Sequence, residues 1–154
     1  MRSGPEAFDS PDVVALATAQ QAEMLALYGE GGNDIGPARE GSQFEPPDGV
    51  LLVVRDESGE AVACGGIVRF DETRAELKRM YTLPEARGRG LGRRVLEELE
   101  AAARGLGYTG VVLETGDQSQ AALSLYRSSG FEPVPCYGVY AARALSLCLE
   151  KRLA

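Results

Sequence analysis

Three glycines alternate in the stretch Arg87-Gly88-Arg89-Gly90-Leu91-Gly92, which joins a strand-like run to a helix-like one. Without side chains at those positions a ligand can approach the backbone, and glycine tolerates positive φ, so several amides can turn toward one phosphate. The helix that begins here adds its unpaired amino-terminal N–H groups and the positive end of its dipole. These residue types at this spacing make an anion cradle held mainly by main chain; the bland alternative is an ordinary glycine-rich turn.

The sequence contains no histidine. That removes Ser-His-Asp and Cys-His nucleophile systems, HExxH metalloproteases and His-ligated haem together. Acid–base chemistry falls to Glu, Asp, Tyr, Lys, Cys or water. Cys64, Cys136 and Cys148 are odd in number, widely spaced and without a CxxC pair, so neither a disulfide framework nor a metal site is expected. Cys64 and Cys148 read as small core residues within strands, and Cys136 as a loop residue.

At 154 residues the chain is most simply one domain, 1–154, with a real core. No apolar run approaches membrane-spanning length and no secretory signal opens it, so a cytoplasmic protein with no membrane partner is the default expectation. A net charge of −7 argues against a general nucleic-acid binder, which needs a basic face, and slightly favours a cationic or amine substrate.

The elements that must position the cradle follow from periodicity. An irregular lead-in is expected up to residue 11, with a short edge strand at 7–9. Val13, Leu16, Ala17, Gln20, Met24, Leu27 and Tyr28 then trace a helical stripe over 12–28, capped by Asp12 or Ser10 and ended by Gly29. Residues 29–49 form a long loop with Ile35 and Phe44 as apolar anchors and room for one helical turn, a candidate for substrate selection. Strands at 50–55, 61–70 and 75–82, separated by short polar turns, predict an antiparallel meander. Gly65-Gly66 within it marks a bulge or a close backbone approach. Beyond the cradle, Leu91, Val95, Leu99, Ala102, Ala103 and Leu106 recur at helical spacing. A buried strand at 109–115, a helix at 118–129 ended by Gly130, a short strand at 131–134 and a last strand carrying Leu145, Leu147 and Leu149 complete the chain. The order is that of an α+β fold with one βα unit at its centre.

Two common phosphate motifs fail at the cradle. A P-loop needs Lys then Ser or Thr after the last glycine, where Arg93-Arg94 stand. A dinucleotide fingerprint needs a third glycine at Arg93 and a preceding parallel strand. The pattern met is Gln/Arg-x-x-Gly-x-Gly/Ala, as Arg87-x-x-Gly90-x-Gly92. With Ala75-Glu76-Leu77-Lys78-Arg79-Met80-Tyr81 before it, and Leu113-Glu114-Thr115-Gly116 and Leu125-Tyr126-Arg127-Ser128-Ser129-Gly130-Phe131 after it, the chain resembles the GNAT family of acetyl-CoA-dependent N-acyltransferases over about residues 50–152. Its ending, residues 144–151, resembles that of a bacterial subgroup of unassigned substrate.

The resemblance implies a mixed, mostly antiparallel sheet flanked by helices, its fourth and fifth strands splayed so that pantetheine enters like an extra strand. Main chain near Met80, Tyr81 and Thr82 would bond the pantetheine and polarise the thioester, an oxyanion hole in physical terms. Amides of Arg87, Gly88, Arg89, Gly90, Leu91 and Gly92 would hold the pyrophosphate, and Arg89, Arg93 or Arg94 would reach a further phosphate. Ser119 stands where the family often has Asn, which leaves open whether it, Gln118 or Gln120 touches CoA.

A lysine-like amine, with a pKa of about 10.4, needs a base at neutral pH. The resemblance places that base at Glu76, acting directly or through water, with Glu114 as competitor and a structural ion pair as the alternative for either. It places the acid for the departing thiolate at Tyr126, whose phenol is neutral at pH 7 and can donate. The implied activity is acetyl transfer from acetyl-CoA, without metal, to a small-molecule amine or a protein amino group, by direct attack in a ternary complex. A homodimer is among the expected assemblies. The competing readings are an acyl-CoA-binding or regulatory module without efficient catalysis, and a nucleotide-binding module, which the failed motifs disfavour.

Overall fold

The apolar run Val50-Leu51-Leu52-Val53-Val54 is buried throughout, and so is its neighbour from Ala61 to Val68, which makes them the middle of a sheet covered on both faces. In the computed structural model, which describes residues 1–32 and 41–154, the strands are β1 (Arg2–Pro5), β2 (Val50–Arg55), β3 (Ala61–Arg69), β4 (Arg74–Thr82), β5 (Gly110–Gly116), β6 (Glu132–Val134) and β7 (Ser146–Arg152). They form a seven-stranded sheet in the order β1-β2-β3-β4-β5-β7-β6. Every neighbouring pair is antiparallel except β4 and β5, which are parallel and joined through the helix that follows the cradle. The meander turns are held by aspartates. Asp56 Oδ1 accepts from the amides of Ser58 and Glu60, and Asp71 Oδ1 from those of Thr73 and Arg74.

Three helices, α1 (Pro11–Tyr28), α2 (Leu91–Gly105) and α3 (Gln120–Ser128), cover the sheet among the described residues. Helix α1 begins where Ser10 accepts the Val13 amide and Pro11 occupies the first turn, and it ends at Gly29 with φ 63°. Its Val13 and Leu16 pack with Phe44, Leu51, Val53 and Val68 on one face. On the other face α2 lays Leu91, Val95, Leu96, Leu99 and Ala103 against Ile67, Leu77 and Leu113, joined by Leu123 and Tyr126 of α3. No helix among the described residues is long and apolar enough to cross a membrane.

Three expectations need correction. The edge strand lies at Arg2–Pro5 rather than 7–9, because pairing runs from Arg2 with Arg55 to Pro5 with Leu52, while Phe8 instead stacks on Phe44 at 4.9 Å. The stripe of α1 is buried only in its first half; Leu27 is 48% exposed, and Gln20, Met24 and Tyr28 turn toward the gap described below. The last strand, β7, inserts between β5 and β6. Cys136 and Cys148 form a disulfide, since Cys148 points from β7 to the face over which the segment carrying Cys136 returns. Of the long loop, 3-10 turns occupy Gly29–Gly32 and Gly41–Phe44, and Ile35 lies outside the described residues.

Candidate active site between β4 and β5

The two central parallel strands pair only at Arg74 with Gly110, Ala75 with Val111 and Glu76 with Val112. Beyond that rung they separate, and the cause is in β4. Its register with β3 slips between Cys64 opposite Tyr81 and Gly66 opposite Lys78, so β4 carries an extra residue, and Arg79 has φ 64°. The bulge reverses the alternation, bringing Met80 to the α2 face that Leu77 already occupies. Gly65 makes room for it, and Gly66 makes room for Phe44 on the other face. A Cβ on Gly65 would overlap Met80 Sδ and Val95, and one on Gly66 would meet the Phe44 ring at 2.8 Å. Of the alternatives this glycine pair raises, close approach holds at the glycines themselves, while the extra residue of the bulge lies opposite, on β4.

The separation opens a groove of about 200 Å³, walled by Leu77 to Met80 on one side and Leu113 to Gly116 on the other. Helix α1 straddles its mouth. Gln20 Nε2 donates to the Met80 carbonyl at 2.9 Å, and the Tyr28 hydroxyl accepts the Gln118 amide at 2.7 Å while lying 3.2 Å from Ser119 Oγ. Tyr28 has this position because residue 116 is glycine; a Cβ there would overlap its hydroxyl. Ser119 therefore faces the groove with its hydroxyl beside Tyr28, a partner that helical periodicity alone does not identify.

The cradle follows directly from β4. Gly88 and Gly90 have φ 81° and 76°, and nothing lies within 4 Å of a Cβ placed on either, so conformation rather than space demands glycine there. Gly92 differs: a Cβ on it would come 3.2 Å from Leu125, so glycine lets α2 and α3 approach closely. The amides of Gly88, Arg89, Gly90, Leu91, Gly92 and Arg93 have no protein acceptor among the described residues, whereas the Arg94 amide bonds the Gly90 carbonyl. The side chains divide. Arg87 donates to the Thr82 carbonyl at 3.0 Å and through Nη2 to both oxygens of Glu23 at 2.9 and 2.8 Å, and Tyr81 donates to Glu23 as well at 2.9 Å. The Arg87 guanidinium holds the Glu23 carboxyl below the usual range, so α1 and the cradle are tied by a charge-assisted contact. Arg93 bonds Ser129 and Ser128 at 3.0 and 2.7 Å, and Arg94 bonds Ser3 at 3.2 Å. Arg89 makes no such contact among the described residues.

Tyr126 stands on α3 with 6% exposure, and it lines the groove. Burial pushes its phenol well above the ordinary tyrosine range, which keeps it protonated. It belongs to the cluster containing Leu77 and Leu113, whereas Lys78 and Glu114 alternate with those residues and lie on the opposite face. Glu114 is on the groove wall, with Ser146 Oγ donating to Oε2 at 2.7 Å and Arg143 Nη1 4.0 Å from the same oxygen. Glu76, 4% exposed, is one rung deeper and off that wall; the Tyr137 hydroxyl donates to its Oε2 at 3.0 Å.

A gap between parallel strands, a cradle of free amides at its end and a protonated phenol on its wall can accommodate an extended thioester with a diphosphate tail. The model of the acetyltransferase (GNAT) family matches residues 15–131. The chain belongs to this family. An Azospirillum brasilense protein named IAA acetyltransferase is 42% identical over 108 residues, 70% of each chain. The crystal structure of a candidate acyl-CoA N-acyltransferase from Klebsiella pneumoniae is 33% identical with a TM-score of 0.84, covering 99% of this chain and 97% of that one. A GNAT acetyltransferase from Elizabethkingia anophelis, solved with acetyl-CoA bound, has the same fold with a TM-score of 0.70 at 17% identity, covering 99% and 97%.

Within this GNAT fold, Met80 of β4, Ser119 and Tyr126 line the groove, and Tyr81, Thr82 and the stretch from Arg87 to Arg93 follow Met80 along the chain. Glu76 does not reach the groove wall, and neither do Tyr81, Thr82 and Arg87 to Arg93. Sequence reasoning missed Gln20, Glu23 and Tyr28 on α1; it expects the segment 135–143 to shape the acceptor pocket but does not single out Tyr137 and Arg143 within it. The only sequence signal for the first three was polar and aromatic residues interrupting an apolar stripe.

Proposed function

We propose that this protein transfers the acetyl group of acetyl-CoA to a primary amine by direct attack within a ternary complex. The observation that carries this reading is the continuity of the splayed strands with the cradle, which ends in six amides without protein acceptors. These amides and the start of α2 would hold the diphosphate, and the free edge of β4 around Met80 would bond the pantetheine arm in the manner of a strand.

The thioester of acetyl-CoA supplies the acyl carbon; its C–S bond breaks as the C–N bond to the amine forms. Main chain at Met80 and Tyr81 receives the charge that develops on the carbonyl oxygen. Tyr126 gives its proton to the sulfur and regains one from solvent. On the other side of the sheet Glu114 faces the incoming ammonium, and Glu76, set one rung back, accepts the amine's proton through water. The ammonium thus loses two protons, one to solvent before the attack and one to Glu76 through water as the amide forms, and the departing sulfur gains one from Tyr126.

The test is CoA release from acetyl-CoA across amine classes, together with thermal melts in acetyl-CoA, CoA, NAD and ATP. Stabilisation by CoA species with amine-dependent thiol release is the expected result. Stabilisation by acetyl-CoA with no release for any amine would favour a binding module instead, and stabilisation by NAD or ATP alone would overturn both.

A further inference from the structure

The edge that β4 turns to the groove is not bare. Past the rung of Glu76 with Val112 it has no pairing with β5, yet the carbonyl of Met80 already accepts a hydrogen bond, from Gln20 Nε2 of α1 at 2.9 Å. Both residues line the groove. The donor in this bond is a carboxamide N–H, the same group that an amide-bearing arm laid along β4 as a strand would present to that carbonyl. Among the described residues the Gln20 side chain makes no other hydrogen bond.

The rest of α1 is held independently of this contact. Val13 and Leu16 anchor its first half in the core. Beyond Gln20, the Glu23 carboxylate accepts from Arg87 and Tyr81, and the Tyr28 hydroxyl accepts the Gln118 amide. The Gln20 carboxamide can therefore leave Met80 by rotation about its own side-chain bonds while the helix stays in place. An arm that takes the Met80 carbonyl with an amide N–H forms one bond for the one it breaks. An arm of methylenes alone breaks the same bond and leaves the carbonyl without a donor, which costs free energy in a groove closed to water. From this shared acceptor we infer that Gln20 is a specificity-determining residue for the donor. Its carboxamide holds the place of the arm's amide, every donor must displace it, and only an arm that returns an N–H to Met80 does so without further loss.

This inference rests on the acetyl-transfer reading, in which acetyl-CoA lies along β4, and it names what the arm has to replace. It is tested by isothermal titration of the full chain and of Gln20→Met and Gln20→Leu, which keep an apolar side chain of similar size and lack the N–H. The ligands are acetyl-CoA, CoA and adenosine 3′-phosphate 5′-diphosphate, the nucleotide half of CoA, which has the diphosphate and no arm. Both variants are expected to bind acetyl-CoA and CoA about two- to tenfold more tightly than the parent, the change in equilibrium constant that one net hydrogen bond makes. The nucleotide half should bind parent and variants alike. The sign separates this role from a structural one, because removing a residue that only braced α1, or that itself held the donor, would weaken binding. Unchanged or weaker binding of acetyl-CoA by the variants, or an equal tightening of the nucleotide half, would overturn the inference. Failure of the parent to bind either acetyl-CoA or CoA would bring down the acetyl-transfer reading as well.

Discussion

The Tyr137 hydroxyl donates a 3.0 Å hydrogen bond to the buried carboxylate of Glu76, from a ring wedged edge-on against Phe70 at 4.8 Å and Tyr140 at 5.8 Å. Burial first, and then the Glu76 charge, push this phenol far above the ordinary tyrosine range. An unfolded tyrosine titrates near pH 10. Below that, both states are protonated and the contribution is complete. Above it the unfolded chain releases the proton first, so folding stability falls as pH rises. Urea midpoints should therefore drop between about pH 9 and pH 11. Glu76→Gln, by removing the charge, should make that drop shallower. Tyr137→Phe should cost about 1.5–3 kcal/mol at neutral pH, the range for a hydrogen bond to a charged group. An unchanged midpoint in Tyr137→Phe would show that the bond contributes nothing net.

Tyr126 is argued to act only on the sulfur, so its loss should appear in turnover. Tyr126→Phe is expected to lower kcat by about 100-fold or more, the usual worth of a positioned acid, with the KM for acetyl-CoA changed less than threefold. Because burial raises its pKa, Tyr126 contributes no loss of activity up to about pH 10. Any alkaline limb seen below that pH must belong to another group. Equal kcat in variant and parent would remove Tyr126 from the acid role.

What the sequence revealed and what it hid divide along the range of the interactions. The meander, the glycine cradle and helix α2 are local: alternation, polar turns and a period near 3.6 are written within ten or fifteen residues, and the structure follows them. Gly65-Gly66 marked the irregular place in the meander, because glycine pairs inside strands signal a bulge or a close approach, but not that the extra residue sits on the neighbouring β4. The disulfide joins positions twelve residues apart through a strand order that no local pattern encodes. Strand β1 was misplaced because the aromatic Phe8 looked more strand-like than Arg2-Ser3-Gly4-Pro5, yet pairing with β2 decided it. Tyr28 and Gln20 looked like part of a core stripe. Their role across the groove mouth depends on where α1 crosses the sheet, which is a tertiary fact.

Gly90 separates backbone from side-chain effects in the cradle. Its φ is 76° and a Cβ there would meet nothing within 4 Å, so Gly90→Ala introduces strain without a clash. A loss of about 1 kcal/mol in stability is expected, since the residue would have to hold a left-handed conformation. If these amides bind the diphosphate, the dissociation constant for acetyl-CoA should rise at least fivefold in isothermal titration, while kcat at saturation stays near the parent's. Tight binding by a destabilised Gly90→Ala would place the diphosphate elsewhere.

The Cys136–Cys148 bond fixes to β7 the segment that supplies Tyr137 to Glu76, Tyr140 to Lys78 and Arg143 to Glu114. Opening it with a dithiol, which is oxidised as two cysteine thiols form, frees one end of the wall that faces the acceptor. The cradle and Gly65 lie on elements that the bond does not touch. Reduction of the parent, or Cys136→Ser, is therefore expected to raise the KM for the acceptor severalfold while leaving that for acetyl-CoA within twofold. Stability should fall by about 2–4 kcal/mol, the usual worth of such a cross-link. Dithiol should have no further effect on Cys136→Ser, which assigns the response to this bond rather than to the buried Cys64, whose thiol is pushed up to about 12 and is inert near neutrality. Equal changes in both KM values would mean that the segment supports the fold as a whole rather than the acceptor side of the groove.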